Sequence, residues 1–93
     1  MPTRLSDCPP SPNCVSSQAR DPRHRVPALK VSGSPDEVMD RVRQVVLSLP
    51  GARFEAATVS YLHARVSTPL CGFVDVLEIL LDSEAGLVLV RKD

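Results

Sequence analysis

The sequence predicts an α+β fold, in which one amphipathic helix packs on a small antiparallel sheet, a meander of about four strands. Three observations predict it: a capped helical stripe over residues 35–49, period-two alternation from residue 53 onward, and a Pro/Cys-rich arm at residues 8–19. A helix followed by alternating strands is typical of a two-layer domain, with the helix on the apolar face of the sheet.

Length and composition set the scale of this fold. The 93 residues allow a single domain with a small core. Residues 1–25 are predicted to be an extended arm and a basic loop, and residues 26–93 the α+β core. Residues 1–30 carry five Lys/Arg against two Asp, and residues 31–93 carry six against nine acids, so the formal charge is zero. This balance argues against a dedicated nucleic-acid binder.

The helix has the clearest local signal in the chain. Ser34 is placed to cap it, Pro35 suits the first helical position, and Glu37 completes a capping box. Pro50-Gly51 ends it. An apolar stripe at helical spacing is predicted to lie in the core and consists of Val38, Val42, Val45, Val46 and Leu49.

The remaining elements follow from alternation and turn residues. The predicted strands are residues 53–58, 61–66, 73–81 and 87–90, separated by loops that include residues 67–72 and 82–86. Before the helix, residues 26–31 read as an edge strand or an extended lead-in, because Pro27 lacks the N–H that a central strand would need.

The arm, CPPSPNCVSSQA (residues 8–19), is predicted to be stiff and extended, since its prolines fix their own backbone angles. A polyproline-like path would carry the chain roughly 12 Å from Cys8 to Pro12, whereas a disulfide needs Cα atoms within about 7 Å. Separate roles for Cys8 and Cys14 are therefore favoured. A Cys8–Cys14 disulfide stays open as the alternative, through a cis Ser11–Pro12 bond or a left-handed Asn13.

Two constellations would support an enzyme. Cys14 could lie at the N-terminus of a turn capped by Asn13, where the local dipole lowers the pKa of a thiol. His63, Arg65 and Asp75 could meet across a hairpin if Arg65 pairs with Asp75. The catalytic candidates are thus Cys14, His63 and Asp75. The simpler interpretation is a buried cysteine and a cross-strand ion pair.

Metal binding is a further alternative, with Cys8, Cys14, Cys71, His24 and His63 as the available ligands. No local pair among them has the spacing of a zinc site, so neither a metal nor a cofactor is predicted. The basic cluster RDPRHR (residues 20–25) is predicted to be a solvated loop, with anion binding as a less favoured alternative.

The favoured function is a non-enzymatic binding or scaffold module for a protein partner or a small ligand. A stiff arm held against a sheet loses little entropy when it holds a partner. The predicted binding residues are Asn13, Ser16, Ser17, Gln18 and Arg65. No apolar run reaches the 18 residues of a membrane span, and the N-terminus lacks the apolar core of a signal peptide. The default expectation is a cytoplasmic protein.

The arm, the segment YLHA (residues 61–64) and the strand FVDVLEILLD (residues 73–82) together resemble a bacterial and plastid family known as domain of unknown function 1499. The resemblance spans roughly residues 8–91 and implies an α+β domain whose members often follow a signal or membrane segment, which gives a cell-envelope or plastid location as the alternative. It implies no activity. Relatives commonly carry paired acids where this chain has Asp75-Val76, and they continue into a polar tail and a closing helix, so a C-terminally shortened member is expected.

Overall fold

The structure, a computed structural model, describes residues 4–67 and 73–93. Within them the chain forms one helix and a six-stranded antiparallel sheet. The elements are β1 (Val15–Ser16), β2 (Leu29–Lys30), α1 (Pro35–Leu47), β3 (Ala52–Ala57), β4 (Tyr61–Ser67), β5 (Val74–Asp82) and β6 (Leu87–Lys92). The α+β class is therefore confirmed, and the predicted meander is β3 to β6.

The expected number of strands, about four, is wrong because two short strands join the sheet from the N-terminal side. β1 pairs with the end of β6, and β2 pairs with its beginning, so the two strands share one edge. The segment 26–31 contributes only Leu29–Lys30. Two-residue strands are too short to show any alternation, and only their pairing with β6 reveals them.

Helix α1 begins where its local signals place it. The Ser34 hydroxyl accepts a hydrogen bond from the Glu37 N–H at 3.3 Å, and Pro35 is the first helical residue. The helix ends at Leu47, two residues earlier than predicted, with Ser48 as the C-cap. Within the described residues, no helix has the length and the apolar character that crossing a membrane would require.

The predicted core stripe on the helix is wrong at Val45 and Leu49. Val38, Met39 and Val46 are buried against the sheet, but Val45 is 63% exposed and Leu49 is 40% exposed. Val46 follows Met39 by seven residues, almost two turns, so it lies on the Met39 side of the helix, and Val45, about 100° away from it, is left exposed. Leu49 lies beyond the C-cap residue and leaves the line of the stripe.

The two faces of the sheet are covered differently. The face under α1 forms the main core, which consists of Val38, Met39, Val46, Leu62, Ala64, Ile79, Leu81 and Val88. The opposite face, called here the second face, carries a smaller cluster of Tyr61, Leu80 and Leu89, onto which Leu5 packs. Residues 4–7, called here the strap, thus cover part of the sheet from the side opposite the helix.

The turn between α1 and β3 depends on Gly51. Its φ is +77°, and a Cβ there would overlap the carbonyl oxygen of Ser67. We expect Gly51→Ala to lower the free energy of unfolding by about 2 kcal/mol, measured by urea denaturation. Gly86 has a similar φ of +67° but only an ordinary neighbour at 3.4 Å. Gly86→Ala should therefore cost about 1 kcal/mol, and equal losses would contradict the close approach at Gly51.

Candidate functional site

A row of polar side chains crosses the second face at one level of the sheet. His63 pairs with Glu78, Glu78 with Arg91, and Arg91 with Ser16, so β4, β5, β6 and β1 each contribute one residue. We call these four residues the polar row. Ser16 and Glu78 are each 3% exposed and Arg91 is 9% exposed. Charged side chains are seldom buried so deeply unless they are paired, which makes this row the first candidate for a site.

Glu78 is the centre of the row, because donors surround its carboxylate. The Tyr61 hydroxyl donates to Oε2 at 2.6 Å. Arg91 Nη1 donates to Oε1 at 3.0 Å, and the backbone N–H of Ser6 donates to the same oxygen at 3.3 Å. Burial alone would raise the pKa of Glu78, but the hydrogen bonds from Tyr61 and Ser6 and the charge of Arg91 outweigh it and lower the pKa.

Tyr61 responds to the same contact in the opposite sense. Burial, together with the hydrogen bond to Glu78, raises the pKa of the Tyr61 hydroxyl to about 12. The hydroxyl therefore remains a donor, and Glu78 remains a carboxylate, at any pH near neutrality. The pair fixes a geometry rather than exchanging a proton.

The strap is held on this surface by one apolar side chain and two backbone donors. Leu5 is 3% exposed and packs against Tyr61, Leu80 and Leu89. Its N–H donates to Gln18 Oε1 at 2.8 Å, and the next N–H, that of Ser6, reaches Glu78. The second face thus already binds an extended piece of polypeptide.

Two nitrogens of the polar row have hydrogen-bonding capacity to spare. Among the described residues, His63 Nε2 and Arg91 Nε are buried and make no hydrogen bond. Arg91 Nε can only donate, whereas His63 Nε2 can donate or accept according to its tautomer. Both residues lie next to Glu78 in the sheet register, so the two unpartnered nitrogens belong to the same buried cluster.

The two arm cysteines are joined. Cys8 and Cys14 form a disulfide with a Cα–Cα distance of 5.7 Å, and the expectation of separate roles is wrong. The chain reverses through consecutive turns, since Ser11 N–H reaches the Pro9 carbonyl at 2.6 Å and Cys14 N–H reaches the Ser11 carbonyl at 3.3 Å. Neither a cis peptide nor a left-handed non-glycine residue occurs in the described residues.

The disulfide also changes the chemistry expected of Cys14. Its sulfur is bonded, and the residue is fully buried, so Cys14 carries no thiol that could ionise and attack a substrate. His24 contacts this segment by placing its Nδ1 2.8 Å from the Cys14 carbonyl oxygen. The arm is therefore a closed, supported loop over residues 8–14, rather than an extended rod with a reactive cysteine.

The expected meeting of His63, Arg65 and Asp75 is corrected by the register of the β4–β5 hairpin. Arg65 pairs with Val76, and Asp75 pairs with Val66. This shift of one residue turns Asp75 to the helix face, away from the other two. Arg65 Nε instead lies 3.3 Å from Glu55 Oε1, and Asp75 Oδ2 lies 3.8 Å from Lys92 Nζ. Most of the loop predicted at residues 67–72 lies outside the described residues.

The predicted binding residues other than Arg65 divide between two places. Gln18 holds the strap, and its own N–H is fixed by the Ser16 hydroxyl at 3.1 Å. Ser17 donates its N–H to the Val90 carbonyl at 2.8 Å and accepts the Val90 N–H on its hydroxyl at 3.1 Å, which fastens the arm to β6. Asn13 lies elsewhere, in a groove of about 670 Å³ that Asp75 also lines.

The basic loop at residues 20–25 uses much of its charge internally. Arg23 pairs with Asp21 at 2.8 Å, and hydrogen bonds from Arg23 lower the pKa of Asp21 to about 2. Arg25 donates to the carbonyls of Ala19 and Arg20 at 3.0 and 2.8 Å. These two guanidinium groups therefore bind groups of the loop and its immediate neighbour, which weakens the hypothesis that the loop binds an anion.

The proposed metal ligands are not assembled in the part of the chain that the structure describes. Cys8 and Cys14 are consumed by the disulfide, and no group of three His, Cys, Asp or Glu side chains is placed to hold an ion among residues 4–67 and 73–93. Cys71 lies outside these ranges.

Sequence reasoning missed Glu78 and Arg91, although a signal for both was present. Both lie in strands that are mainly apolar, VDVLEILLD and LVLVRK, and each shares a strand face with a leucine two residues away, Leu80 for Glu78 and Leu89 for Arg91. An acid and a base that alternate with leucines along strands of the same sheet are candidates for a buried pair. Their partner Tyr61 entered the sequence analysis as one residue of an alternating strand and of the YLHA segment, with no role assigned to its hydroxyl.

Comparison with known proteins identifies the family. Residues 4–92 match the model of a family described as "Protein of unknown function (DUF1499)". No match was found among the curated proteins or among the solved structures. The matched residues extend from the strap through the last strand, so they include the whole polar row. The chain belongs to the DUF1499 family.

Proposed function

We propose that this chain is a protein-binding module, and that its binding surface is the second face of the sheet beneath the strap. The observation that carries the proposal is that this face already holds residues 4–7 as it would hold a ligand. An apolar pocket takes the Leu5 side chain, while Gln18 and Glu78 take two successive backbone N–H groups.

The chemistry of these contacts defines what would bind. Bonds to the main chain are available to any extended peptide, and the pocket adds a preference for an aliphatic side chain. The pocket is formed by Tyr61, Leu80 and Leu89. Because Tyr61 and Arg91 fix the Glu78 carboxylate, its position requires little ordering on binding. The expected partner is an extended segment with an aliphatic residue followed by a residue whose N–H is free.

The same contacts support binding over acid–base catalysis. Glu78 is a carboxylate of lowered pKa, and the pKa of Tyr61 is raised to about 12. A general acid or base works best with a pKa near the operating pH. The thiol-enzyme alternative needs a free Cys14 close to His63 and Asp75, and the bonded sulfur and the β4–β5 register favour neither condition.

The test uses the full chain with Leu5→Asp, which removes the apolar anchor of the strap and empties the surface. A capped peptide with the sequence of residues 4–7 (RLSD) is titrated into the variant and followed by NMR. We expect saturable shifts at Leu80 and Leu89, with a dissociation constant on the order of 1 mM, because one aliphatic side chain and a few hydrogen bonds supply the affinity.

Two controls make the result specific. The peptide RDSD lacks the aliphatic side chain and should produce no saturable shifts. Leu29→Asp changes an exposed leucine on β2 and leaves the strap in place. Because the strap then occupies the surface, this variant should bind the RLSD peptide at least tenfold more weakly than the Leu5→Asp variant. Equal binding of both peptides, or an unresponsive second face in a folded Leu5→Asp chain, would contradict the proposal.

A further inference from the structure

We infer that the Cys8–Cys14 disulfide is a redox latch, which sets how often the strap leaves the second face. A dithiol reductant would open the latch, and the strap would then yield its place to a partner segment. The inference concerns regulation of the binding surface described above and rests on that proposed function for its biological meaning. The opening of the strap itself can be measured without any partner.

The position of the disulfide supports this role. Cys8 follows the strap directly, and Cys14 immediately precedes β1. The β1 end is fixed, because Ser17 exchanges two hydrogen bonds with Val90 of β6. The disulfide therefore ties the end of the strap to a point that is hydrogen-bonded to the sheet. Without it, the tether would run through the whole of residues 8–14.

The two sulfurs differ in how a reductant can approach them. Cys14 is fully buried. Cys8 is partly exposed and lines two surface grooves, of about 550 Å³ and about 430 Å³, on the side of the basic loop. Access decides which sulfur of a disulfide is attacked, so the attack is expected at Cys8.

The exchange is balanced by a dithiol. One thiolate of the dithiol attacks the Cys8 sulfur and forms a mixed disulfide, and Cys14 leaves as a thiolate and takes up a proton. The second thiol of the reductant, once deprotonated, attacks the reductant's other sulfur, which is bonded to Cys8 in the mixed disulfide. Cys8 is released as a thiolate and is protonated in turn. The dithiol is oxidised to a cyclic disulfide, and its two electrons reduce the protein.

The expected size of the effect follows from loop closure. A disulfide that closes a loop of seven residues favours the closed arrangement by about 50-fold in the chain-entropy model. After reduction, two backbone hydrogen bonds across the loop remain, from Ser11 to Pro9 and from Cys14 to Ser11. The strap can still form its hydrogen bonds with Gln18 and Glu78, but the chain that joins the strap to β1 is then longer.

The test is amide hydrogen exchange on the full chain, oxidised and then reduced with dithiothreitol. The N–H groups of Leu5 and Ser6 report the strap, and that of Leu81, which donates to the Ser60 carbonyl at 2.8 Å, reports the sheet. We expect exchange at Leu5 and Ser6 to accelerate by about 50-fold on reduction, and exchange at Leu81 to change less than threefold.

The matched variant Cys8→Ser should show the fast exchange of the reduced chain and should not respond to dithiothreitol. Unchanged exchange at Leu5 and Ser6 would overturn the latch. Equal acceleration at Leu81 would also overturn it, because reduction would then unfold the domain rather than free the strap.

Failure of the latch and failure of the binding function give different results. If the strap amides accelerate while neither the reduced chain nor Leu5→Asp binds the RLSD peptide, the latch stands and the binding function is wrong. If Leu5→Asp binds the peptide while the strap amides ignore reduction, the function stands and the latch is wrong.

Discussion

Replacing Glu78 with alanine is expected to lower the free energy of unfolding by about 3 kcal/mol. The substitution leaves the buried Arg91 guanidinium with its longer contact to Asp93 at 3.4 Å in place of the contact to Glu78 at 3.0 Å. It also removes the acceptor of the Tyr61 hydroxyl and of the Ser6 N–H. A buried charge that loses its partner costs far more than an exposed one. Urea denaturation followed by circular dichroism measures the loss.

Glu84 provides the matched control, since it is exposed in the turn before β6. Glu84→Ala should change the free energy of unfolding by less than about 0.5 kcal/mol. A Glu78→Ala loss no larger than that of the control would mean that the buried network contributes nothing to stability.

The pH dependence offers an independent check on Glu78. Its pKa is lower in the folded chain than in the unfolded chain, so its stabilising contribution is complete above the unfolded value of about 4.3. The contribution is lost as the pH falls through the lower, folded pKa. As the pH is lowered from about 4.5 to acid denaturation, the free energy of unfolding of Glu78→Gln should therefore fall less than that of the original chain. Parallel profiles of this free energy against pH would contradict a lowered pKa at Glu78.

Replacing Leu62 with alanine is expected to cost about 3 kcal/mol, for a different reason. Leu62 is 1% exposed and lies in the core between α1 and the sheet. The substitution removes two methyl groups and one methine group and loses their transfer free energy. It also leaves a cavity that a close-packed core fills only in part. The same denaturation experiment measures the change.

Leu29 is the control for this prediction, because it also lies in a strand but is 57% exposed. Leu29→Ala should cost less than about 1 kcal/mol. Similar losses at the two positions would contradict the placement of the main core between α1 and β4.

The elements that sequence patterns predicted well are those with local causes. Ser34 and Pro35 start the helix through contacts within one turn, and the alternation of β4 follows from burial of Leu62 and Ala64 in the main core. The two short strands β1 and β2 have no comparable local cause. They exist because β6 offers them an edge, and β6 lies more than 50 residues further along the chain.

The candidate site was predicted only in part, because its assembly depends on register. Ser16, Gln18 and His63, which the sequence singled out, lie on or beside the polar row. Asp75 was chosen on the assumption that it pairs with Arg65, but a hairpin register is set by its turn, and a difference of one residue reverses the face. The residue that actually faces His63 is Glu78.

The arm was misjudged for a similar reason. Three prolines predict an extended path, yet each also suits a turn, and the hydrogen bond from Ser11 to Pro9 begins the reversal that brings Cys8 to Cys14. Local backbone preference could not distinguish the two outcomes, since the contacts of Leu5 and Ser6 with the distant strands also contribute to the choice.

The central claim is that residues 4–7 lie fixed on the second face of the sheet, and NMR of the oxidised full chain tests it most directly. Nuclear Overhauser contacts between the Leu5 methyl groups and the Tyr61 ring are predicted, with backbone order parameters near 0.85 at Leu5 and Ser6. Order parameters below about 0.6 at both residues, with no Leu5–Tyr61 contact in an otherwise folded chain, would contradict the account.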